Sequence, residues 1–174
     1  MSVLEIHRLN AEEAVANLGG LARVLADCVA GGASVSYIAP FTEDDARREF
    51  ERWVPEVEQG TRALLAAFLD GTVVGTVQVV NAWPPNQPHR ADIAKLLVHR
   101  CARRRGVAER LMERAEVEAF ADGKTLLVLD TVTGDAADFL YAKLGWKRVG
   151  EIPGFALYPD GRPCSTTVFF KDLS

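Results

Sequence analysis

The chain has 174 residues, 20 Lys and Arg against 24 Asp and Glu, and a net charge of −4. The length suits one domain over 1–174, with a core large enough to fold without a disulfide or a metal. The acidic balance excludes general nucleic-acid binding, which needs a basic footprint.

Val3 to Leu9 alternates and predicts a first strand. Asn10 ahead of Ala11-Glu12-Glu13 reads as an N-cap with acids in the first turn, opening a helix toward Ala30. Gly19-Gly20 is its expected interruption and Gly31-Gly32 its stop. Thr42 starts a second helix, with Phe50, Trp53, Val54 and Val57 at helical spacing and Pro55 as the place for a kink. Arg62–Leu69 is a central-type strand, Asp70-Gly71 a hairpin turn and Thr72–Val80 the partner strand. Trp83 to Pro88, with three prolines, is a loop of fixed shape. Ala91–Val98 is again a strand, and Val107–Ala121 is the clearest helix. Thr125–Leu129 reads as a buried strand and Asp135–Leu144 as a helix stopped by Gly145. Trp146–Ile152 and Thr166–Phe170 complete the strands, with turns at Pro153-Gly154 and Pro159-Asp160-Gly161. The sum is an α+β (mixed α/β) domain, with about seven strands in a mostly antiparallel sheet and about four helices.

Cys28, Cys101 and Cys164 are too few for a disulfide framework and are not spaced as a zinc site, so no metal is expected. No basic leader precedes a long apolar run, and no apolar stretch is long enough for a bilayer. A reduced cytoplasmic protein without a membrane partner is the expectation.

Chemistry concentrates between Lys95 and Ala115. A strand ends near Val98, a basic turn follows, and a helix begins near Gly106 without an acidic cap. The first N–H groups of that helix have no intrahelical partner, and its dipole is positive there. Gly106 lets an anion approach the backbone, Ala108 keeps the next turn small, and Arg103, Arg104 and Arg105 add donors. A pyrophosphate fits this turn; so does the plainer reading of a basic loop ahead of a surface helix. Gly-Lys-Ser/Thr is absent, which excludes an NTPase loop, and the three-glycine dinucleotide spacing is absent too.

Arg103, Gly106 and Ala108 resemble the Arg/Gln-x-x-Gly-x-Gly/Ala motif of the GNAT acetyltransferase superfamily. Downstream, Ala137, Tyr141 and Leu144-Gly145-Trp146 resemble that family's Ala-x-x-x-Tyr-x-x-x-Gly-Phe ending. The resemblance implies a GNAT-like fold and acetyl-coenzyme A (acetyl-CoA) as co-substrate. The amides of Arg103 through Ala108, Val107 included, would hold its pyrophosphate, and the main chain of Leu97 and Val98 its pantetheine arm. The family's Asn, seven residues before the Tyr, is Gly134 here. The stretches Gly31–Val35, Arg90–Asp92, Leu129–Thr131, Arg148–Gly154 and Pro159–Arg162 resemble a toxin-resistance subgroup that acetylates an amino acid-like toxin. Many members are dimers through their C-terminal strands, which points to a homodimer.

Acetyl transfer requires an amine that has lost its proton, a polarised carbonyl and a stabilised leaving thiolate. Tyr141 is the candidate acid for the thiolate, or a core aromatic on spacing alone. Asp92 and Asp130 are candidates to receive the amine, if their strands are neighbours and both face one cleft. The subgroup carries acids at matching positions, the first a longer Glu. Without that resemblance, Asp130 caps a turn and Asp92 is solvated. A backbone N–H near Val98 is the expected oxyanion donor. Ser34, Tyr37 and Asn86 are candidate substrate walls, with Ser36, Trp53, Trp83 and His89 as further options. Cys101 lies beside the arginines, but no His or acid is patterned as its partner. The expected activity is direct N-acetylation of a small-molecule amine, with a protein N-terminus or lysine as alternative acceptor. A non-catalytic acyl-CoA sensor is the alternative of a different class.

Overall fold

The computed structural model describes residues 3–174. The elements run β1 (Leu4–Leu9), α1 (Ala11–Ala16), α2 (Leu18–Ala30), α3 (Glu43–Glu58), β2 (Arg62–Leu69), β3 (Thr72–Asn81) and β4 (Arg90–Val98). They continue with a 3-10 turn at Arg100–Ala102, α4 (Val107–Ala121), β5 (Leu126–Val132), α5 (Ala136–Lys143), β6 (Lys147–Leu157) and β7 (Pro163–Asp172). One sheet has the order β1-β2-β3-β4-β5-β7-β6. Every neighbouring pair is antiparallel except β4 and β5, which are parallel. The mixed, mostly antiparallel sheet of seven strands is as expected; the α-helices number five among the described residues rather than about four.

Local chemistry sets the helix starts. Asn10 Oδ1 accepts from the Glu13 N–H at 2.9 Å while the Asn10 N–H donates to Glu13 Oε2 at 2.8 Å. Thr42 and Asp45 repeat this box at the start of α3. Each box satisfies donors that a helix end leaves orphaned. Pro55 lies inside α3, three residues from its end.

The helical break expected at Gly19-Gly20 falls instead at Asn17, whose φ of −104° and ψ of 8° end α1. Asn17 Nδ2 donates to the Glu13 carbonyl at 2.8 Å, and the Asn17 carbonyl accepts from Leu21. Both glycines are helical. Gly20 serves packing: a Cβ there would stand 2.8 Å from Val73 Cβ, so only Gly lets α2 lie flush on β3. Pro153-Gly154 is likewise not a turn between strands. It lies within β6, where the register with β7 shifts between Ile152 and Ala156.

The sheet is covered on two faces. Val77, Leu111, Met112 and Phe169 fill the α4 side, and Leu21, Leu25, Phe50 and Leu64 the α2–α3 side. Each fully buried Leu among them stabilises the fold by about 1.5–3 kcal/mol. Gly75 brings α4 close to β3, since a Cβ there would meet Leu111 Cδ1 at 3.1 Å and Val107 Cγ1 at 3.2 Å.

The two helical glycines should respond oppositely to alanine. Gly20→Ala forces Val73 aside and should cost about 1–3 kcal/mol. Gly19→Ala meets only Arg47 Nη2 at 3.7 Å, so lower unfolded-state entropy should gain about 0.4–1 kcal/mol. Urea denaturation of both variants checks the signs.

Candidate active site

β4 and β5 pair only where Arg90–Asp92 face Leu126–Val128. Beyond that point they separate. The cause lies in β4: between the pairs Gln78↔Ala94 and Thr76↔Leu97 it carries one residue more than β3. Lys95, in this bulge, has φ 52°, a left-handed value that costs a non-glycine residue strain. The separation opens a cleft of ≈ 660 Å³. Ile93–Val98 form one wall, Asp130–Val132 and α5 the other, and Gly31–Ser36 the rim. β4 remains paired to β3 and β5 to β7, so each strand keeps one edge turned to the gap. Such an edge carries backbone donors and acceptors ready for an extended ligand.

One end of the cleft is built for an anion. Arg103 and Ala108 line it, and Gly106, with φ 74°, is the N-cap of α4. Among the described residues no side chain caps this helix, so its first N–H groups are left for a ligand. Arg104 has φ 59°, and Arg103, Arg104 and Arg105 are exposed. The Val98 carbonyl already accepts from Arg103 Nε at 3.2 Å and Cys28 Sγ at 3.6 Å. Asp27 fastens the 3-10 turn from below, accepting from the Arg100 N–H at 2.9 Å and Arg100 Nε at 2.5 Å. Burial pushes the Asp27 carboxyl up, but these hydrogen bonds outweigh it and hold the group below the usual carboxylate range. Cys101 does have a partner: His99 Nδ1 lies 3.1 Å from its Sγ, and His99 Nε2 lies 3.5 Å from Asp27. The spacing of two residues was the available signal.

The other end gathers titratable groups. Tyr141 lines the cleft and is 5% exposed, packed against Trp146 and Phe169. It is thus both the core aromatic and a cleft residue. Burial, and secondarily the charge of Asp130, push its phenol above the usual range. Asp130 lines the same cleft, with Oδ2 2.9 Å from the Thr166 hydroxyl. Asp92 does not join it. The register Asp92↔Val128 puts both acids on one sheet face, but Asp92 lies where the strands are still paired, and Arg90 Nη1 holds its carboxylate at 2.5 Å. Ser34 lines the rim, its hydroxyl donating to the Leu157 carbonyl at 2.6 Å. Tyr37 donates to Glu49 Oε2 at 3.0 Å behind that rim. Asn86 and the Trp83–Pro88 loop are remote, because this hairpin joins the ends of β3 and β4 farthest from the separation. Gly134 has φ 81° and donates its N–H to Asp138 Oδ2 at 2.8 Å, a backbone shape that favours glycine over Asn. Lys95 is the cleft residue that sequence reasoning missed, since nothing local marks a bulge.

Among the described residues, no cluster of three His, Cys, Asp or Glu side chains is placed to hold a metal ion, and no helix is long and apolar enough to cross a membrane. A family model described as Acetyltransferase (GNAT) family matches residues 32–146. The chain therefore belongs to the GNAT family, a class of acetyl-CoA-dependent acetyltransferases. It is similar to an uncharacterized N-acetyltransferase of the hisH–hisA intergenic region of Azospirillum brasilense, 35% identical over 107 residues. That match spans 60% of this chain and 61% of the relative's length. In fold it resembles an N-acetyltransferase from Staphylococcus aureus Mu50, with TM-score 0.81, 21% identity and 99% of each chain covered. It also resembles yncA from Salmonella typhimurium, a structure with its cofactor acetyl-CoA, at TM-score 0.81 and 18% identity. There 98% of this chain and 94% of the other are covered.

Tyr37 and Tyr141 are both held above the usual phenol range, each first by burial. Near about pH 10.5, just above the ordinary value, wild type and Tyr141→Phe should therefore show the same phenolate absorbance. An excess in wild type would contradict it. A raised folded-state pKa stabilises the fold below the unfolded value, so this contribution should fade as pH climbs beyond about 10.

Proposed function

We propose that this chain acts as one domain over 1–174. In our reading it moves the acetyl group of acetyl-CoA directly to the primary amine of a small molecule, an amino acid-like toxin or antibiotic. The carrying observation is that one cleft reaches both the uncapped start of α4 and the pair Asp130 and Tyr141. Acetyl-CoA supplies the acetyl group as a thioester. The amides at Arg104–Ala108, with the guanidinium groups of Arg103, Arg104 and Arg105, suit its pyrophosphate. The open edge of β4 at Leu97 and Val98 suits its amide-bearing arm, and an N–H there polarises the carbonyl.

Asp130 attracts the substrate ammonium, and the proton leaves toward it through a bridging water. The freed lone pair then attacks the carbonyl carbon; the C–S bond breaks as the tetrahedral adduct collapses, and the second proton shed by nitrogen replaces the one that Tyr141 gives to sulfur. Tyr141 keeps its phenolic proton and holds it for the departing sulfur. The negative charge on Asp130 strengthens that retention. Neutralising Asp130 therefore eases proton transfer from Tyr141 at the moment it is needed. Asp92, paired with Arg90 outside the cleft, takes no part in the transfer.

Protein substrates need an open groove. Here the Ser34 hydroxyl bonds to Leu157 and the Ala39 N–H to the Pro159 carbonyl at 2.9 Å, so the α2–α3 loop is tied across to the β6–β7 hairpin. One end of each bond, Ser34 and Pro159, falls in a stretch resembling the tabtoxin resistance protein (Gly31–Val35 and Pro159–Arg162), which supports a compact, toxin-like acceptor.

Edge strand β6 exposes Val149, Ile152, Phe155 and Leu157. A second copy covering this edge makes a homodimer, and light scattering at twice 19.0 kDa checks it.

Tyr141→Phe should lower kcat by about 10²–10⁴-fold and leave acetyl-CoA affinity within about twofold. A sensor would turn over no amine in either form. Thiol release and calorimetry, measured on both proteins, separate the readings.

A further inference from the structure

We infer that Lys95 reads a carboxylate on the acceptor, so that the molecule acetylated carries an amine and a carboxylate together, as an amino acid does. This rests on the acetyltransferase reading above and names the feature that selects the substrate.

Lys95 lines the cleft wall opposite Asp130. An ammonium has three N–H donors. One goes to the Val35 carbonyl at 3.1 Å and one to Ser36 Oγ at 2.9 Å. Both partners are neutral, and the third donor has no partner among the described residues. The Tyr37 ring, with its centroid 5.4 Å from Nζ, adds only a weak cation–π contact. No carboxylate forms an ion pair with Lys95 among the described residues. Burial and the nearby Arg62 charge disfavour its charged form, against partial support from Glu49 and Asp130.

The surroundings have a surplus of donors. Arg62 Nη1 bonds to Gln78 Oε1, which fixes the orientation of that amide. Gln78 is fully buried, and its Nε2 has no hydrogen-bond partner among the described residues. Gln78 lies opposite Ala94, the residue before Lys95. Lys95, Arg62 and Gln78 thus give this part of the molecule donors and positive charge, offset by Glu56 on Arg62 at 2.8 Å. Lys95 is half-buried, and a partly desolvated cation without an anionic partner is costly, which an anion relieves. A plain amine would gain Asp130 but bring a second positive charge into the cleft and leave Lys95 without an anion. A zwitterion satisfies both walls at once: ammonium on Asp130, carboxylate on Lys95. The surface therefore selects for the carboxylate and against amines that lack it.

Lys95 also ties the α2–α3 loop to β4, and a test must separate that role. An amino acid, its amide and its decarboxylated amine, all with one side chain, serve as acceptors for the wild type, Lys95→Met and Lys95→Arg. Wild type should prefer the acid over the amide by about 30-fold or more in kcat/KM. Lys95→Met should abolish the preference through KM, and Lys95→Arg should restore part of it. Calorimetry with the N-acetylated amino acid, which has the carboxylate and no ammonium, should show the same loss in Lys95→Met. Equal losses on all three acceptors would reduce Lys95 to a loop anchor and overturn the inference. So would a wild type indifferent to the carboxylate, while leaving the acetyltransferase reading intact. No transfer to any acceptor would sink both.

Discussion

Two strands that begin as a hydrogen-bonded parallel pair and then part are the constraint on which this molecule turns. The pairing ends at Asp92 and Val128 because β4 takes up an extra residue at Lys95. Each strand is held on its other side, so neither can shift to close the gap. The edges that face it keep polar backbone groups that a folded protein ordinarily pairs. Gly75 lets α4 settle on β3 so that its uncapped start meets the same opening. Backbone edge, helix dipole and arginine turn thus converge on one opening.

The electrostatics of the cleft follow from that geometry. Arginines and free amides lie at one end. Asp130 and the buried phenol of Tyr141 lie toward the other, coupled by the charge of the first on the second. Lys95 supplies the opposite sign on the facing wall. On our proposal, such a graded surface suits a long anionic donor at one end and a smaller, doubly charged acceptor at the other.

What could be read from the residues depended on how far apart the cooperating parts lie. The turn ahead of α4 is local, so Arg103, Gly106 and Ala108 sufficed to mark where that helix starts. Tyr141 on α5 and the stop at Gly145 just past its end are local and were equally legible. The separation of β4 from β5 is a matter of register between distant segments. Asp92 and Asp130 were therefore paired correctly by face and wrongly by cleft. Asn86 in the proline-rich loop was a candidate substrate wall, but the β3–β4 connection puts it at the closed end. Gly20 looked like a helix breaker because its partner, Val73, lies more than fifty positions away. Lys95 gave no signal at all, because a bulge has no residue type of its own.

Amide hydrogen exchange with and without acetyl-CoA tests the separated-strand account most directly. Saturating ligand should slow exchange at Ile93–Val98 and Arg104–Ala108 by about tenfold or more, leaving β1 and β2 unchanged. Protection confined to other segments, or none in the presence of saturating ligand, would contradict it.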